Sequence, residues 1–189
     1  MKRIVIFASG SGTNAENIIK HFETSAIATV NHVLSNNEHA KVKERCERLK
    51  INFMHFTNKQ FSETDEILDF LKEEADYIIL AGFLKKVPQK ITEAFSDRIL
   101  NIHPALLPNY GGKGMYGMNV HKAVKANAEK ETGITIHFVN EKYDDGAIVF
   151  QAKTTLNEED TPESIAQKVH VLEYEHFPRV IEETIIKNG

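Results

Sequence analysis

The chain has 189 residues, 41% of them hydrophobic and 26% charged, with a formal net charge of −4 and a single cysteine, Cys46. The length predicts one domain over residues 1–189, the charge argues against nucleic acid binding through bulk electrostatics, and one cysteine excludes an internal disulfide. No segment approaches the roughly 20 apolar residues that a membrane span needs, so we expect a cytoplasmic protein with no membrane partner.

Strand-like and helix-like segments alternate through the first half of the chain. Short apolar, β-branched runs predict strands at 3–8, 29–34, 51–56, 77–81 and 99–102. Helical spacing of apolar residues predicts helices at 14–22, 38–50, 64–74 and 89–95. The run at 77–81 is apolar throughout, as in a central parallel strand that is covered on both faces. This alternation predicts an α/β fold with a doubly wound, mostly parallel sheet flanked by helices.

The second half of the chain has a different pattern. Residues 134–139 alternate between apolar and polar side chains, and a second run at 147–152 follows a tight turn at Asp145-Gly146. These segments predict an antiparallel C-terminal extension, and therefore a mixed sheet. Thr161-Pro162 is typical of a helix start, with a threonine cap and a proline in the first turn.

A glycine-containing loop, 9–15, lies between the first predicted strand and helix. The N-terminus of such a helix offers unpaired N–H groups to an anion. Gly10, Gly12 and Ala15 also fit the loose dinucleotide fingerprint. That site needs an acidic residue after the second strand, where this chain has Ser35-Asn36-Asn37. A single phosphate therefore fits better than a dinucleotide, and a plain turn without a ligand is the alternative.

Residues 82–88 follow the central strand at its carboxyl end, where open α/β sheets bind ligands. Their backbone is suited to pairing with a flat heterocycle, and Lys85 and Lys86 would then lie near an anionic tail. Solvated lysines are the alternative for these two side chains.

An amide and an imidazole lie at the end of the fifth predicted strand. Asn101 and His103 are two residues apart, so both project to the same side of a strand end, and Pro104 keeps His103 out of the helical region. Such a pair suits a carbonyl that becomes a tetrahedral oxyanion. Asp145 precedes Gly146 and is explained by the turn, whereas Asp144 is not. Asp144 is therefore the better partner for a histidine, because a nearby carboxylate favours the charged form of the ring. The alternative is that Asn101 caps a turn and that His103 is a loop histidine whose hydrogen bonds are made within the protein.

The glycine-rich residues 109–117 follow this motif. They form either a lid that orders over a substrate or a plain flexible connection. His121, on the next predicted helix, is a candidate for the same cleft, and His137, on an alternating strand, is assigned to the core or to a position behind the site.

These motifs together resemble the formyltransferase family that uses 10-formyltetrahydrofolate. The resemblance spans nearly the whole chain and rests on residues 9–14, 35–36, 80–83, 101–108, 133–139 and 144–151. The Asn-x-His-Pro sequence with a distant aspartate is its most specific part. The first loop indicates a small-molecule enzyme within the family, and we expect no counterpart of the C-terminal domain of methionyl-tRNA formyltransferases within residues 1–189. The resemblance implies 10-formyltetrahydrofolate as co-substrate, no metal, and formyl transfer to the glycyl amine of 5'-phosphoribosylglycinamide in de novo purine biosynthesis.

The resemblance also assigns the site residues. The substrate phosphate and the rest of the ribonucleotide would be held by Gly12, Thr13, Asn14 and Glu173. The folate site would be lined, chiefly through the backbone, by Leu84, Lys85, Lys86 and Val87. Asn101 would hold the formyl oxygen of the folate, His103 would be the general acid, and Asp144 would keep His103 charged.

Two rival functions are open: a formyltetrahydrofolate hydrolase, and a non-catalytic nucleotide-binding α/β protein. Two features depart from the family pattern. Thr64 stands where bacterial relatives have an arginine near the folate tail, and residues 111–118 are longer than the short proline-glycine loop of many members. The oligomeric state, monomer or homodimer, is open too.

Overall fold

The computed structural model describes all residues, 1–189. Its strands are β1 Lys2–Phe7, β2 Ala28–Ser35, β3 Asn52–His55, β4 Tyr77–Leu80, β5 Ile99–His103, β6 Glu131–Phe138 and β7 Ile148–Thr155. They form one sheet in the order β3-β2-β1-β4-β5-β6-β7. The first five strands are parallel, and β6 and β7 are antiparallel to their neighbours. The predicted doubly wound, mostly parallel mixed sheet with an antiparallel C-terminal extension is confirmed.

The helices are α1 Thr13–Phe22, α2 Val42–Leu49, α3 Asn58–Ser62, α4 Glu66–Glu74, α5 Gln89–Ala94, α6 Met118–Ala126 and α7 Pro162–Asn188. Two begin later than expected, since the predicted 38–50 starts at Val42 and the predicted 64–74 starts at Glu66. Before α2, the His39 N–H donates to the Asn37 side chain (3.0 Å), a local bond that competes with helix formation. The short helix α3 was not predicted, although Thr57 and Gln60 cap it reciprocally.

Helices cover both faces of the sheet. Alternate residues of β1 divide between two apolar cores, Ile4 and Ile6 on the side of α1, α2, α6 and α7, and Val5 and Phe7 on the side of α3, α4 and α5. All of β4 is buried, as predicted for a central strand. Cys46 is fully buried in the first core, and burial raises the pKa of its thiol to about 11. No helix is both long enough and apolar enough to cross a bilayer.

A proline within the long helix α7 leaves a carbonyl free to contact α1. Pro178 has no N–H, so the Tyr174 carbonyl loses its partner within the helix. The Asn17 amide of α1 donates to that carbonyl instead (2.9 Å). The contact brings α7 against the first turn of α1, where the Asn14 amide donates to the Glu173 carboxylate (2.9 Å).

The connection between β6 and β7 differs from the expected tight turn. It spans residues 139–147, and Asp145-Gly146 forms only its end. Gly146 packs directly on β6, since an added Cβ would lie 1.7 Å from the Phe138 carbonyl oxygen. The longer loop places Asp144, with a φ of 52°, over the carboxyl end of β5.

Candidate active site

A cleft of about 620 Å³ opens at the carboxyl ends of the central parallel strands, where this type of sheet binds ligands. It is lined by every residue that the sequence assigned to a substrate: Gly12, Thr13, Asn14, Leu84, Lys85, Lys86, Val87, Asn101, His103, Asp144 and Glu173. His121 and His137 line it too. The structure therefore brings the predicted phosphate loop, folate segment and acid–base residues into one cavity.

The Asn101 amide is oriented by a buried histidine. His137 is 2% exposed, and its Nδ1 lies 2.8 Å from the Phe138 carbonyl, which can only accept, so Nδ1 carries the proton. In the neutral ring Nε2 then accepts from the Asn101 side-chain nitrogen, 3.0 Å away. The second N–H of the Asn101 amide remains available for a ligand, so His137 combines the expected buried position with direct contact to Asn101.

His103 contacts protein groups through both ring nitrogens. Its Nε2 donates to the Tyr110 carbonyl (2.7 Å), and its Nδ1 lies 3.6 Å from Oδ2 of Asp144. With the proton on Nε2, the neutral ring presents a lone pair to the carboxylate. Asp144 therefore gains an ion pair with His103 only when the ring takes up a second proton.

The backbone after His103 is clamped from the antiparallel strands. The buried Thr135 hydroxyl donates to the Ala105 carbonyl (2.7 Å) and accepts from the Leu107 N–H (2.9 Å). The Gln151 amide donates to the Leu107 carbonyl (3.0 Å) and to the same hydroxyl (2.8 Å). Because Pro104 ends the strand and these bonds hold the next three residues, His103 sits at a rigid position.

The surroundings of His103 lower its pKa, whereas the sequence predicted that Asp144 keeps the ring charged. His103 is 3% exposed, and this burial outweighs the Asp144 carboxylate, so the pKa of the imidazole lies below its usual 6.5. Burial alone would raise the pKa of Asp144, but the neighbouring rings of His137 and His103 and the Gly112 N–H together lower it. Near neutral pH the pair is a neutral imidazole beside a carboxylate.

This electrostatic arrangement predicts a titration. In an NMR titration of the ring protons, His103 should titrate below pH 6.5. In Asp144→Asn its pKa should fall further, because the substitution removes the carboxylate that stabilises the imidazolium. An unchanged or higher pKa in Asp144→Asn would contradict the pairing.

The first turn of α1 has the free backbone donors that the predicted anion site requires. Gly12 caps the helix in the left-handed region, with φ 72°, and no side chain caps it. The N–H groups of Gly12, Thr13 and Asn14 donate to no group of the protein, so they stay available at the positive end of the helix dipole. Gly12 must be glycine, since an added Cβ would lie 2.3 Å from Cγ2 of Val42.

A polar cluster continues the anion site toward α7. The buried Glu173 carboxylate accepts from the Asn14 amide and lies 2.8 Å from Nδ1 of His170. The hydrogen bond between His170 and Glu173 raises the pKa of the His170 imidazole. Asn14 Oδ1 and His121 Nδ1 are buried with no partner in the protein. Such orphaned atoms in a cleft suit a polar ligand that satisfies them.

The segment predicted to hold a heterocycle is tied to the phosphate loop. The Leu84 N–H donates to the Ser9 hydroxyl (3.1 Å), which donates to the Asn36 side chain (2.7 Å). The N–H groups of the next residues, 85–87, donate to no group of the protein. Leu84 is itself 52% exposed. This edge of the cleft thus offers free backbone donors beside apolar surface, which suits a flat polar ring.

The glycine-rich segment borders the cleft between His103 and α6. The Gly112 N–H donates to Oδ2 of Asp144 (2.9 Å), so the segment is attached to the acid–base pair. Three of its glycines have positive φ, and Tyr116 and Met118 are exposed at the mouth of the cleft. This geometry is compatible with a lid and with a plain connection alike.

Thr64 does not line the cleft. Its hydroxyl donates to Glu66 (3.0 Å), and its carbonyl accepts from the Lys90 ammonium, which also pairs with Asp65 (2.9 Å). A basic group therefore lies beside position 64, supplied by α5, but its charge is neutralised locally.

Sequence reasoning missed several contributors to this site. The Tyr110 carbonyl, Thr135 and Gln151 act through tertiary contacts that no local sequence pattern predicts. His170 had a usable signal, since it lies three residues before Glu173 and so shares its helix face. No group of three or more histidine, cysteine, aspartate and glutamate side chains is arranged to hold a metal.

Comparison with known proteins identifies the family. The family model described as formyl transferase matches residues 2–181. The chain belongs to the formyl transferase family. Among its relatives, the phosphoribosylglycinamide formyltransferase of Haemophilus influenzae is 40% identical over 187 residues, covering 96% of this chain and 86% of the relative.

Two further members of the family extend the comparison. The chloroplastic phosphoribosylglycinamide formyltransferase of Arabidopsis thaliana is 37% identical, covering 95% of this chain. The chain spans only 64% of that plant relative's length. The crystal structure of glycinamide ribonucleotide transformylase 1 from Symbiobacterium toebii superimposes with a TM-score of 0.90 at 29% identity, covering 99% of this chain and 89% of that one. The formyl transferase fold therefore extends over essentially all of the chain.

Proposed function

We propose that residues 1–189 act as one domain that transfers the formyl group of 10-formyltetrahydrofolate to the glycyl amine of 5'-phosphoribosylglycinamide, a step of de novo purine biosynthesis. One observation carries the proposal: the uncapped first turn of α1 and the Asn101, His103 and Asp144 side chains line the same cleft. A phosphorylated amine and a formyl donor are the substrates that need both. The names of the relatives agree with formyl transfer to this acceptor.

The phosphate end anchors the acceptor. The N–H groups of Gly12, Thr13 and Asn14 bind the phosphate, and the buried Glu173 accepts from hydroxyls of the ribose. The backbone of Leu84, Lys85, Lys86 and Val87, which follow β4 in the chain, binds the folate ring. Holding both substrates in one orientation supplies a large share of the rate acceleration.

The reaction begins when the neutral glycyl amine attacks the formyl carbon. A carbon–nitrogen bond forms, and the carbonyl electron pair moves onto the formyl oxygen. The second N–H of Asn101 donates to that oxygen. The Nε2–H of His103 donates to the same oxygen in place of the Tyr110 carbonyl, which requires the glycine-rich segment to move slightly.

Proton transfer completes the exchange. The attacking amine becomes positively charged and passes a proton to the His103–Asp144 pair, directly or through water. Negative charge on the formyl oxygen raises the affinity of His103 for this proton, which compensates for its burial. The electron pair on the oxygen then re-forms the carbonyl, the bond from N10 to the formyl carbon breaks, and N10 of the folate takes the same proton. The products are the formylated ribonucleotide and tetrahydrofolate.

A steady-state assay with both substrates tests this proposal. Formation of the formylated ribonucleotide and of tetrahydrofolate at equal rates is the expected result. Formate release is measured in parallel, with and without the ribonucleotide. Fast release that does not depend on the acceptor would favour a formyltetrahydrofolate hydrolase and overturn transfer.

A non-catalytic nucleotide-binding α/β protein is the second rival. It predicts binding of the ribonucleotide with no turnover of either substrate. Calorimetric binding of phosphoribosylglycinamide, followed by the transfer assay on the same sample, distinguishes the two. Binding without product would support the rival.

A further inference from the structure

The phosphate loop is supported from behind by α2. The Val42 N–H donates to the Gly10 carbonyl (3.2 Å), and the Val42 side chain fills the space that a side chain at position 12 would need. The loop is therefore fixed on the side opposite the cleft, and its shape depends on α2 as well as on its own glycines.

Arg45, one turn further along α2, adds a second support. Its Nε donates to the Ser11 carbonyl (2.7 Å), and its Nη1 donates to the Glu16 carboxylate. A guanidinium is a rigid planar fork, so these two bonds fix the loop carbonyl relative to the first turn of α1. Arg45 does not line the cleft, so it acts on a ligand only through the loop.

The direction of the Ser11 carbonyl sets the direction of an anion donor. The carbonyl of Ser11 and the N–H of Gly12 belong to one planar trans peptide and point in opposite directions. Because Arg45 holds the carbonyl on the α2 side, the Gly12 N–H points away from α2. That N–H donates to no group of the protein. A free rotation of this peptide would instead present a carbonyl oxygen to the phosphate and repel it.

We propose that Arg45 is a positioning residue that presets the phosphate loop for the phosphorylated substrate. This inference rests on the proposed function for its substrate, but not for its anion site. Arg45 holds the loop in its anion-binding shape before the ligand binds. Loss of Arg45 should therefore weaken substrate binding and leave the rate of the chemical step unchanged.

Arg48 provides a matched control. Its Nη2 donates to the same Glu16 carboxylate (2.7 Å), but it has no bond to the loop. Arg45→Ala and Arg48→Ala therefore remove one cation each from the same carboxylate. Only the first releases the Ser11 carbonyl.

The test compares KM and kcat in the two variants. Arg45→Ala should raise KM for phosphoribosylglycinamide about 10-fold, as expected for a lost charged hydrogen bond. Its kcat and its KM for 10-formyltetrahydrofolate should stay within about twofold of the wild type. Arg48→Ala should leave all three values within about twofold. Equal effects of both variants would overturn the proposal, because the Glu16 charge network would then explain them.

Two further measurements keep the inference testable. Arg45→Lys keeps the charge but cannot bridge Ser11 and Glu16, so it should recover only part of the affinity lost in Arg45→Ala. Full recovery would overturn the proposal. If Arg45→Ala is unfolded, Arg45→Lys replaces it in the comparison. Inorganic phosphate binding by calorimetry needs no turnover. Weaker binding by Arg45→Ala than by Arg48→Ala is expected even if formyl transfer were not the reaction, and equal binding would overturn the inference.

Discussion

Replacement of His103 by alanine is expected to lower the rate of formyl transfer by about 10²- to 10⁴-fold, the usual range for loss of a general acid–base group. The reason is that the ring of His103 lies 3.6 Å from Asp144 and lines the cleft, where its Nε2–H is proposed to donate to the formyl oxygen. Asp144→Asn should also largely abolish transfer, since an amide cannot take up charge or stabilise an imidazolium.

The same two substitutions should leave the phosphate end of the cleft intact. Binding of phosphoribosylglycinamide, measured by calorimetry, should change by less than about threefold in Asp144→Asn, and the thermal unfolding of both variants should stay cooperative. Because the two residues act as a unit, the double variant should be little slower than His103→Ala alone. Unimpaired turnover in either single variant would remove that residue from the mechanism.

Substitution of Gly12 by alanine is expected to have the second large effect. The backbone there has φ 72°, which costs an alanine about 1–2 kcal/mol, and the new Cβ would approach Cγ2 of Val42 to 2.3 Å. The loop must move off α2, so KM for the ribonucleotide should rise about 10-fold or more. The free energy of unfolding should fall by about 1–3 kcal/mol.

Gly10→Ala is the control for this prediction. It adds the same methyl group two residues earlier, where the backbone is outside the left-handed region and an added Cβ meets nothing within 4 Å. Its free energy of unfolding, from urea denaturation, should stay within about 0.5 kcal/mol of the wild type. An equal loss of stability in both variants would contradict the assigned clash with Val42.

The parts of the site that follow from local rules could be predicted from the sequence. Asn101 and His103 line one cleft because a strand has a period of two, and Pro104 prevents a helix from starting at once. The anion site at α1 follows in the same way from glycines before an uncapped helix. Even α3 had a readable signal, the Thr57-x-x-Gln60 capping box.

Other features depend on tertiary packing and could not be predicted. The partner Asp144 was identifiable as a carboxylate, but the burial that lowers the pKa of His103 is a property of the folded cleft. The Tyr110 carbonyl on Nε2 of His103 and the Thr135 clamp likewise join segments that no periodicity relates. The charge state of the acid–base pair was therefore the weakest expectation, although its members were identified.

The central physical claim is that the side chains at the carboxyl end of β5 stabilise the negative charge on the formyl oxygen. The most direct test is the single-turnover rate of formyl transfer in Asn101→Ala, with 10-formyltetrahydrofolate and phosphoribosylglycinamide both saturating. Loss of one such donor should lower this rate by about 10²- to 10³-fold while both substrates still bind. A rate equal to that of the wild type would contradict the account.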